Sequence, residues 1–432
     1  MQAADPVPPP GGTGRVPLLT IAREWGRIGC IGFGGPPAHV ALLRTLCVER
    51  RGWISAAEFE DGIAATNMLP GPASTQLAIF CAWRLRGPRG ALVGGACFIV
   101  PGLIVILALS AVFLAARPPL WIKGASLGAD AAVPAVALGA ALSLAPASWR
   151  RAGAPRPSHV RWTCYLLAGG VAAALIGPFL VLVLVGCGLL ELLVRTPPRH
   201  PAWVPGSPRQ GTAPAAGGAG PAELPPGAKR RGALLAEPSA LLALAGSPVL
   251  QASAAAGLLS VAWVAFKVGA LSYGGGFVII PLMQHDVVHT YHLMTSAQFL
   301  SAVALGQVTP GPVVQTVAVV GYAAAGVGGG LLASLVAFAP SFAFVLAGGS
   351  RFGQLRGSAR VQAFLTGAGP AAIGAIAGAA IPLSLALSHL WQIAVLALAA
   401  AWLLGLRRGV VAAIVGGGAL GVIAALAGAP VT

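Results

Sequence analysis

Apolar residues run along this chain in blocks far longer than one face of a soluble helix. Between Asp286 and Arg351 lie 64 residues without Asp, Glu, Lys or Arg, and between Arg360 and Arg407 another 46. A membrane crossing takes about 20 apolar residues, so each block predicts several spanning helices. A transmembrane β-barrel would show ~10-residue segments alternating between apolar and polar positions, and the blocks lack that alternation. The pattern predicts an all-α polytopic membrane protein.

Composition agrees and removes other classes. Of 432 residues, 56% are hydrophobic and 9% charged, against about 25% charged in a soluble domain. So little charge cannot cover a soluble enzyme of this size. The net charge of +16 is therefore not a nucleic-acid surface. The 60 glycines and 36 prolines, in so apolar a chain, imply closely packed and interrupted membrane helices. Six cysteines show no C-x-x-C and no Cys/His spacing of a metal site. No phosphate-binding Gly-Lys-Thr/Ser loop is present, so any pumping draws on an ion gradient. No cofactor and no metal is expected.

The chain repeats itself at an offset of 240. Arg27 falls on Lys267, and Gly32-Phe33-Gly34-Gly35-Pro36 on Ser272-Tyr273-Gly274-Gly275-Gly276. Asn67 falls on Gln307, Pro70-Gly71-Pro72 on Pro310-Gly311-Pro312, and Gly90 on Gly330. Gly128 and Gly367 open similar stretches one residue out of that register. The predicted organisation is a disordered tail at 1–16, a repeat at 17–194 and a Pro/Arg-rich cytoplasmic linker at 195–232. A connecting segment at 233–254 and a second repeat at 255–428 follow. The linker holds nine prolines.

Arginines set the topology, because cytoplasmic loops are rich in Lys and Arg. Arg44, Arg50, Arg51, Arg84, Arg86 and Arg89 lie in the first repeat, and the matching window 284–329 has no Arg or Lys. The next loop reverses the bias, with Arg117 and Lys123 against Arg351, Arg356 and Arg360. Equivalent loops carry opposite bias, so the repeats are expected in inverted topology. Residues 62–82 have basic loops at both ends and Pro70-Gly71-Pro72 at their centre. Two prolines break the helix there, which predicts a re-entrant hairpin in each repeat. About five crossings per repeat remain: 17–43, 90–115, 122–146, 163–177 and 178–194, the last two alternatively forming one long helix. That count places the N-terminus outside.

Three sets of residues could carry chemistry. Gly34, Gly35, Pro36 and His39, with Tyr273, Gly274, Gly275 and Gly276, interrupt apolar stretches. Broken helices expose ends whose dipole attracts anions, although small residues also serve close helix packing. Asn67, Pro70, Gly71, Pro72, Thr75 and Gln76, with Gln307, Thr309, Pro310, Gly311, Pro312 and Gln315, gather polar groups at the second break of each repeat. Buried polar groups need partners, supplied by one another, by water or by a ligand. The equivalent cations Arg27 and Lys267 suit a doubly charged anion, or snorkel to the interface. Asp130, a lone acid in a span, is a candidate for proton coupling. His285, His289 and His292 share one loop with Asp286, a spacing that binds a metal loosely at most.

Phe33-Gly34-Gly35-Pro36-x-Ala38-His39, Leu69-Pro70-Gly71-Pro72-x-Ser74-Thr75-Gln76, Ser272-Tyr273-Gly274-Gly275-Gly276 and Thr309-Pro310-Gly311-Pro312 resemble the chromate ion transporter family. The likeness covers both repeats and looks like the long-chain, two-domain form. It implies a secondary transporter of the bacterial inner membrane that exports chromate by alternating access, driven by the proton motive force. It implies chromate resistance, with sulfate as a competing oxyanion. The implied partners are a chromate or sulfate-like oxyanion and the bilayer, with no nucleic acid. An importer or exchanger for sulfate is the alternative, and a membrane scaffold without transport the third reading.

Overall fold

The computed structural model describes residues 16–67, 69–115, 117–153, 156–176, 180–195, 248–272, 279–348 and 358–431. The tail before Val16, the linker after Arg195, most of the connecting segment and Tyr273–Gly276 lie outside the described residues. The described residues are helical throughout, with no strand among them.

The chain first enters the bundle and turns back. Helix α1 (Leu18–Ile31) ends at Gly32. Gly34 (φ 95°) and Gly35 (φ 73°) then reverse its course, in a backbone region that only glycine enters freely. Helix α2 (Pro36–Arg44), prolonged by a π-helical stretch Thr45–Arg50, runs out again. Its end is tied to α1 by Arg51 Nη2 and Glu24 Oε1, 2.8 Å apart. If α2 continued onward, these two residues would be tens of ångströms apart at 1.5 Å per residue. Residues 17–43, expected as one crossing, are therefore a helical hairpin. With 14 residues, α1 is ~21 Å long and falls short of a ~30 Å hydrocarbon core.

The expected Pro-Gly-Pro hairpin follows. Helix α3 (Ala56–Thr66) leads in, capped by Ser55. Helix α4 (Ala73–Phe113) leads back to a sharp reversal at Arg86 (φ −146°, ψ 21°) and Gly87 (φ 61°, ψ −151°). Its two arms, 73–85 and 88–113, pack against each other, with Gly90 against the Ala82 carbonyl. Ion pairs Arg44–Glu60 and Arg84–Glu58 hold the feet of both hairpins together.

Four legs then run end to end: the 88–113 arm, α5 (Leu120–Ala152), α6 (Arg156–Val171, continued to Ile176) and α7 (Leu180–Arg195). Helices α6 and α7 form an antiparallel pair rather than one long helix. Glu191 on α7 accepts from Arg161 Nε at 2.8 Å and from Tyr165 Oη at 3.1 Å, both on α6. Among its described residues the repeat thus has four legs and two hairpins, where five crossings and one hairpin were expected.

The second repeat copies this plan. Its elements are α8 (Pro248–Leu271), α9 (Ile279–Gln284, continued to Thr290) and α10 (Ser296–Val308). Then come α11 (Thr316–Gly348), α12 (Ala359–Leu385), α13 (Leu390–Ala400, continued to Gly405) and α14 (Val410–Leu426). Helix α11 reverses at Ala325 (φ −150°, ψ 32°) and Gly326 (φ 61°, ψ −151°), nearly the dihedrals of Arg86 and Gly87. Arg86 and Ala325 are 239 apart, so one residue is lost after Pro312. The register moves accordingly: Gly90 corresponds to Gly329 and not to Gly330, and Gln76 to Gln315.

Equivalent helices lie antiparallel. Along the 88–113 arm and the second arm of α11, Gly95 meets Phe342 while Gly330 meets Leu107. Along α5 and α12, Ser148 lies by Gly369 while Ala141 packs with Ala372 and Ile376. A pseudo-two-fold axis across the bundle thus exchanges its two ends. Glycine permits the close approaches: Gly128 abuts the Gly417 carbonyl, and its equivalent Gly367 abuts that of Cys187. Among the described residues, four stretches are long and apolar enough to cross a membrane: Ala73–Phe113, Leu120–Ala152, Val313–Gly348 and Ala359–Leu385. The first and third contain the reversals, so only their second arms are through-running.

The four legs place Arg44, Arg51, Arg84, Arg86, Arg151, Arg161, Arg195, Arg360 and Arg408 at one end, called here the arginine end. Arg117 and Lys123 lie at the other. Helix α1 starts at the arginine end, so Leu18 sits with the basic loops rather than opposite them. A membrane-impermeant maleimide should therefore label Glu49→Cys, Arg86→Cys and Arg408→Cys from one face of the membrane and Ser388→Cys from the other. Labelling of Glu49→Cys from the Ser388 side would mean that α2 crosses.

Candidate functional site

Both repeats meet at their breaks. The Gly71 N–H, at the Pro-Gly-Pro tip of the first repeat, donates to the Ser272 carbonyl where α8 ends, at 2.8 Å. The Gly311 N–H, at the tip of the second, donates to the Gly32 carbonyl where α1 ends, at 3.0 Å. The two bonds are the same bond under the pseudo-two-fold. Each tip plugs the break of the other repeat.

His39 reinforces one of them. It is fully buried, with Nε2 2.9 Å from the Gly32 carbonyl and Nδ1 3.2 Å from Ser74 Oγ. A carbonyl only accepts, so Nε2 carries the proton and Ser74 donates to Nδ1. The ring stands edge-on to Phe98, centroids 5.0 Å apart. In the second repeat the same position is Ile279, so this link is one-sided.

Around the tips, buried polar atoms outnumber their partners. Gln76 Nε2 donates to the Pro70 carbonyl at 2.6 Å, and Gln315 Nε2 to the Ile99 carbonyl at 2.6 Å. Thr309 Oγ1 donates to the Leu305 carbonyl at 3.0 Å. Thr75 Oγ1, Ser272 Oγ, Ser341 Oγ and Gln307 Nε2 are buried without a partner among the described residues. A Cβ placed on Gly71 would lie 3.2 Å from Ser341 Oγ and 3.3 Å from the Gly269 carbonyl. These four groups can all donate, and none is charged. Unpartnered donors in so apolar a setting cost free energy unless an acceptor reaches them.

A cavity of about 590 Å³ leads to the tip of the first repeat. Arg151 stands at its mouth, Ser148 and Ser143 along α5, and Pro36, Asn67 and Ala73 at its inner end. The start of the 73–85 arm faces this space, with two first-turn amides that have no partner inside the helix. Helix α2 offers dipole without amides there. Pro36 and Pro37 have no N–H, and the Ala38 and His39 amides bond back to the Gly35 carbonyl. A second, apolar cavity of about 480 Å³ touches Pro70 from the other side, between α7, α8 and α12.

The symmetric cations do not join this site. Arg27 projects from the exposed side of α1, opposite buried Ile21, Trp25 and Ile28. Lys267 pairs with Asp286 and lies over the rings of Trp263 and Tyr291, 5.6 and 6.0 Å from their centroids. Its charge is already answered. The first repeat ties α1 to its returning arm at other positions and with the polarity reversed, Glu24 to Arg51. Asp130 lies elsewhere again, buried between α5 and α10. It accepts from Ser301 Oγ at 2.7 Å.

The chromate transporter family model matches residues 19–192 and 259–422 of the chain. The chain belongs to the chromate transporter family. Over 373 residues it is 31% identical to the "Chromate transport protein" of Cupriavidus metallidurans, covering 85% of this chain and 82% of that one. It is 28% identical over 397 residues to a "Probable chromate transport protein" of Synechococcus elongatus, covering 90% and 91%. Over 123 residues it is 34% identical to "Uncharacterized transporter YwrB" of Bacillus subtilis, covering 28% of this chain and 62% of that one. No solved structure matches. As a member of the chromate transporter family, the chain is a multi-pass membrane transporter and not an enzyme.

Among the described residues of this family member, no three His, Cys, Asp or Glu come together as a metal site. His285 and His289 are neighbours, ring centroids 5.7 Å apart, but Asp286 is engaged by Lys267. The motif Tyr273-Gly274-Gly275-Gly276 lies outside the described residues. Sequence reasoning missed Ser341 and Ser272 as site donors. Ser341 had a signal: Pro340-Ser341 repeats Pro101-Gly102 at the 239 offset.

Gly71 (φ 119°) and Gly311 (φ 99°) predict unequal sensitivity. Alanine at either position costs ~1–2 kcal/mol of backbone strain. At Gly71 the new Cβ also meets Gln76 Nε2 at 2.5 Å, while at Gly311 its nearest neighbour is 3.5 Å away. Gly71→Ala should lower the melting temperature in detergent more than Gly311→Ala, and equal shifts would contradict the packing of the tip. Removing one partner of a buried ion pair costs more than removing both. Lys267→Ala should therefore be less stable than Lys267→Ala/Asp286→Ala, by ~1–3 kcal/mol in chemical denaturation.

Proposed function

We propose that this protein exports chromate from the cytoplasm of a bacterium across its inner membrane by alternating access, coupled to the proton motive force. The observation that carries the reading is the set of uncharged donors buried at the crossed tips: Thr75, Ser272, Ser341 and Gln307. A tetrahedral dianion offers acceptors in all directions and satisfies groups that no described residue satisfies. Uncharged donors hold an oxyanion without trapping it as paired cations would, and a carrier must release its cargo. The amides opening the 73–85 arm add the positive end of a helix dipole. Arg151 at the cavity mouth attracts the anion from the arginine end, which the positive-inside bias makes cytoplasmic. The names of the relatives from C. metallidurans and S. elongatus supply chromate as the substrate. Asp130, a buried acid that accepts from the Ser301 hydroxyl and faces no cation among the described residues, is the group for proton coupling.

Everted membrane vesicles should take up radiolabelled chromate when a pH gradient is imposed, and lose that uptake when a protonophore collapses it. Sulfate should compete. Uptake of neither anion, with or without the gradient, would refute transport of this class. Thr75→Val and Ser341→Ala should each raise the KM for chromate roughly tenfold, since one hydrogen bond to an ion contributes ~1.5 kcal/mol.

A further inference from the structure

We infer that the protein carries a second vestibule, closed in this structure, that opens toward the end opposite the arginines and uncovers Asp130. The inference rests on the transport reading above and adds the path by which the anion leaves.

The two repeats are built from equivalent pieces but packed in two different ways. In the first repeat α3 stands off α12, and the 590 Å³ cavity lies beside it. In the second, the equivalent α10 is docked on α5. Ser301 of α10 donates to Asp130 Oδ2 at 2.7 Å. Its hydroxyl is then committed as a donor, so Ser126 of α5 donates to it, at 2.9 Å. Three side chains thus stitch α10 to α5.

The repeat offsets turn the inner lining of the open cavity into that of a closed one, while the equivalents of Ser148 and Arg151 at its mouth, Leu387 and Leu390, are half-buried and exposed. Val40, Asn67, Ala73, Ala140, Leu144 and Gly369 line the open cavity. Their equivalents are Ile280, Gln307, Val313, Ala379, Leu383 and Asp130, all buried: Gln307 is 7% exposed, Ala379 1%, Leu383 0% and Asp130 2%. Asn67, by contrast, is exposed, and Ala140 and Leu144 are half-buried. A protein with two-fold related halves, each seen in one of two packings, reaches a second state by exchanging them. Helix α3 closes on α12, and α10 leaves α5.

The exchange is not electrically neutral. Arg151, at the open mouth, has Leu390 as its equivalent, and Gly369 has Asp130. The anion enters past a cation and leaves past a carboxylate, so the second vestibule holds it less tightly. Among the described residues no cation faces that carboxylate. Helices α10, α13 and α14 contain no Asp, Glu, Lys or Arg. The sole such residue of α12 is Arg360 at the arginine end, and Lys123 lies two turns away along α5. His389, at the cap of α13, is the remaining titratable group on the helices packed there.

The test is a reversible lock. In Ser126→Cys/Ser301→Cys, oxidation should cross-link α10 to α5 and lower chromate flux in everted vesicles more than tenfold, and reduction should restore it. Cross-linked protein that transports at the reduced rate would overturn the inference. Independently, Ala379→Cys should react with an impermeant maleimide from the face opposite the arginines, several-fold faster with chromate present. Its counterpart Ala140→Cys should react from the arginine face, both sites being read by peptide mass spectrometry. If Ala379→Cys never reacts from the opposite face while flux is intact, no second vestibule opens there. This measurement also decides the matter if the double variant does not assemble. Loss of flux in the unaltered protein would sink the transport reading alone.

Discussion

Two backbone hydrogen bonds, Gly71 to Ser272 and Gly311 to Gly32, organise this molecule. Each joins a Pro-Gly-Pro tip of one repeat to the broken helix of the other. A broken helix inside a membrane leaves carbonyls and amides with no water to satisfy them. Here the breaks satisfy each other across the repeats, so neither repeat is complete alone. That exchange brings four interrupted segments to one point and makes the point polar. The bilayer penalises irregular backbone unless it lines a cavity or is buried in protein, and both conditions are met at these tips.

The same exchange explains why the site is built from uncharged groups. The charged residues near it are spent on architecture. Glu24–Arg51 and Lys267–Asp286 fasten each returning arm to its first helix. Arg161 and Glu191 fasten α6 to α7, and Arg195 braces Glu191 within α7. What is left at the tips is hydroxyl, amide and helix dipole. Such a site binds an oxyanion by geometry and gives it up again, which suits carriage better than capture.

Symmetry in the sequence and asymmetry in the packing coexist. The reversals at Arg86–Gly87 and Ala325–Gly326 agree within a few degrees in φ, so local geometry is copied faithfully. Yet α3 stands away from its neighbour while α10 is docked. His39 has no polar counterpart, and neither Asp130 nor Arg151 is matched. These differences separate the two faces of the carrier. A symmetric chain would bind alike from both sides.

How far did the chain announce all this? Charge-free blocks, the P-G-P triplets and the 240 offset established the membrane class, the repeats and both breaks, because each is a local property of backbone chemistry. The expectation of inverted repeats came from arginines, which obey a rule about loops and not about contacts. The reversal at Gly34–Gly35 was not legible. Glycine permits a left-handed turn without requiring one, and only the Arg51–Glu24 contact decides that α2 comes back. The fates of Arg27 and Lys267 were equally hidden. Equivalent in register, one faces outward and the other is neutralised, since burial and partner are settled by which helix lies opposite. The donors Ser272 and Ser341 came together only when the two repeats closed on each other. Sequence alone determined where the helices break, and tertiary structure decided what each break faces, because hydrogen-bond partners in a membrane come from distant segments.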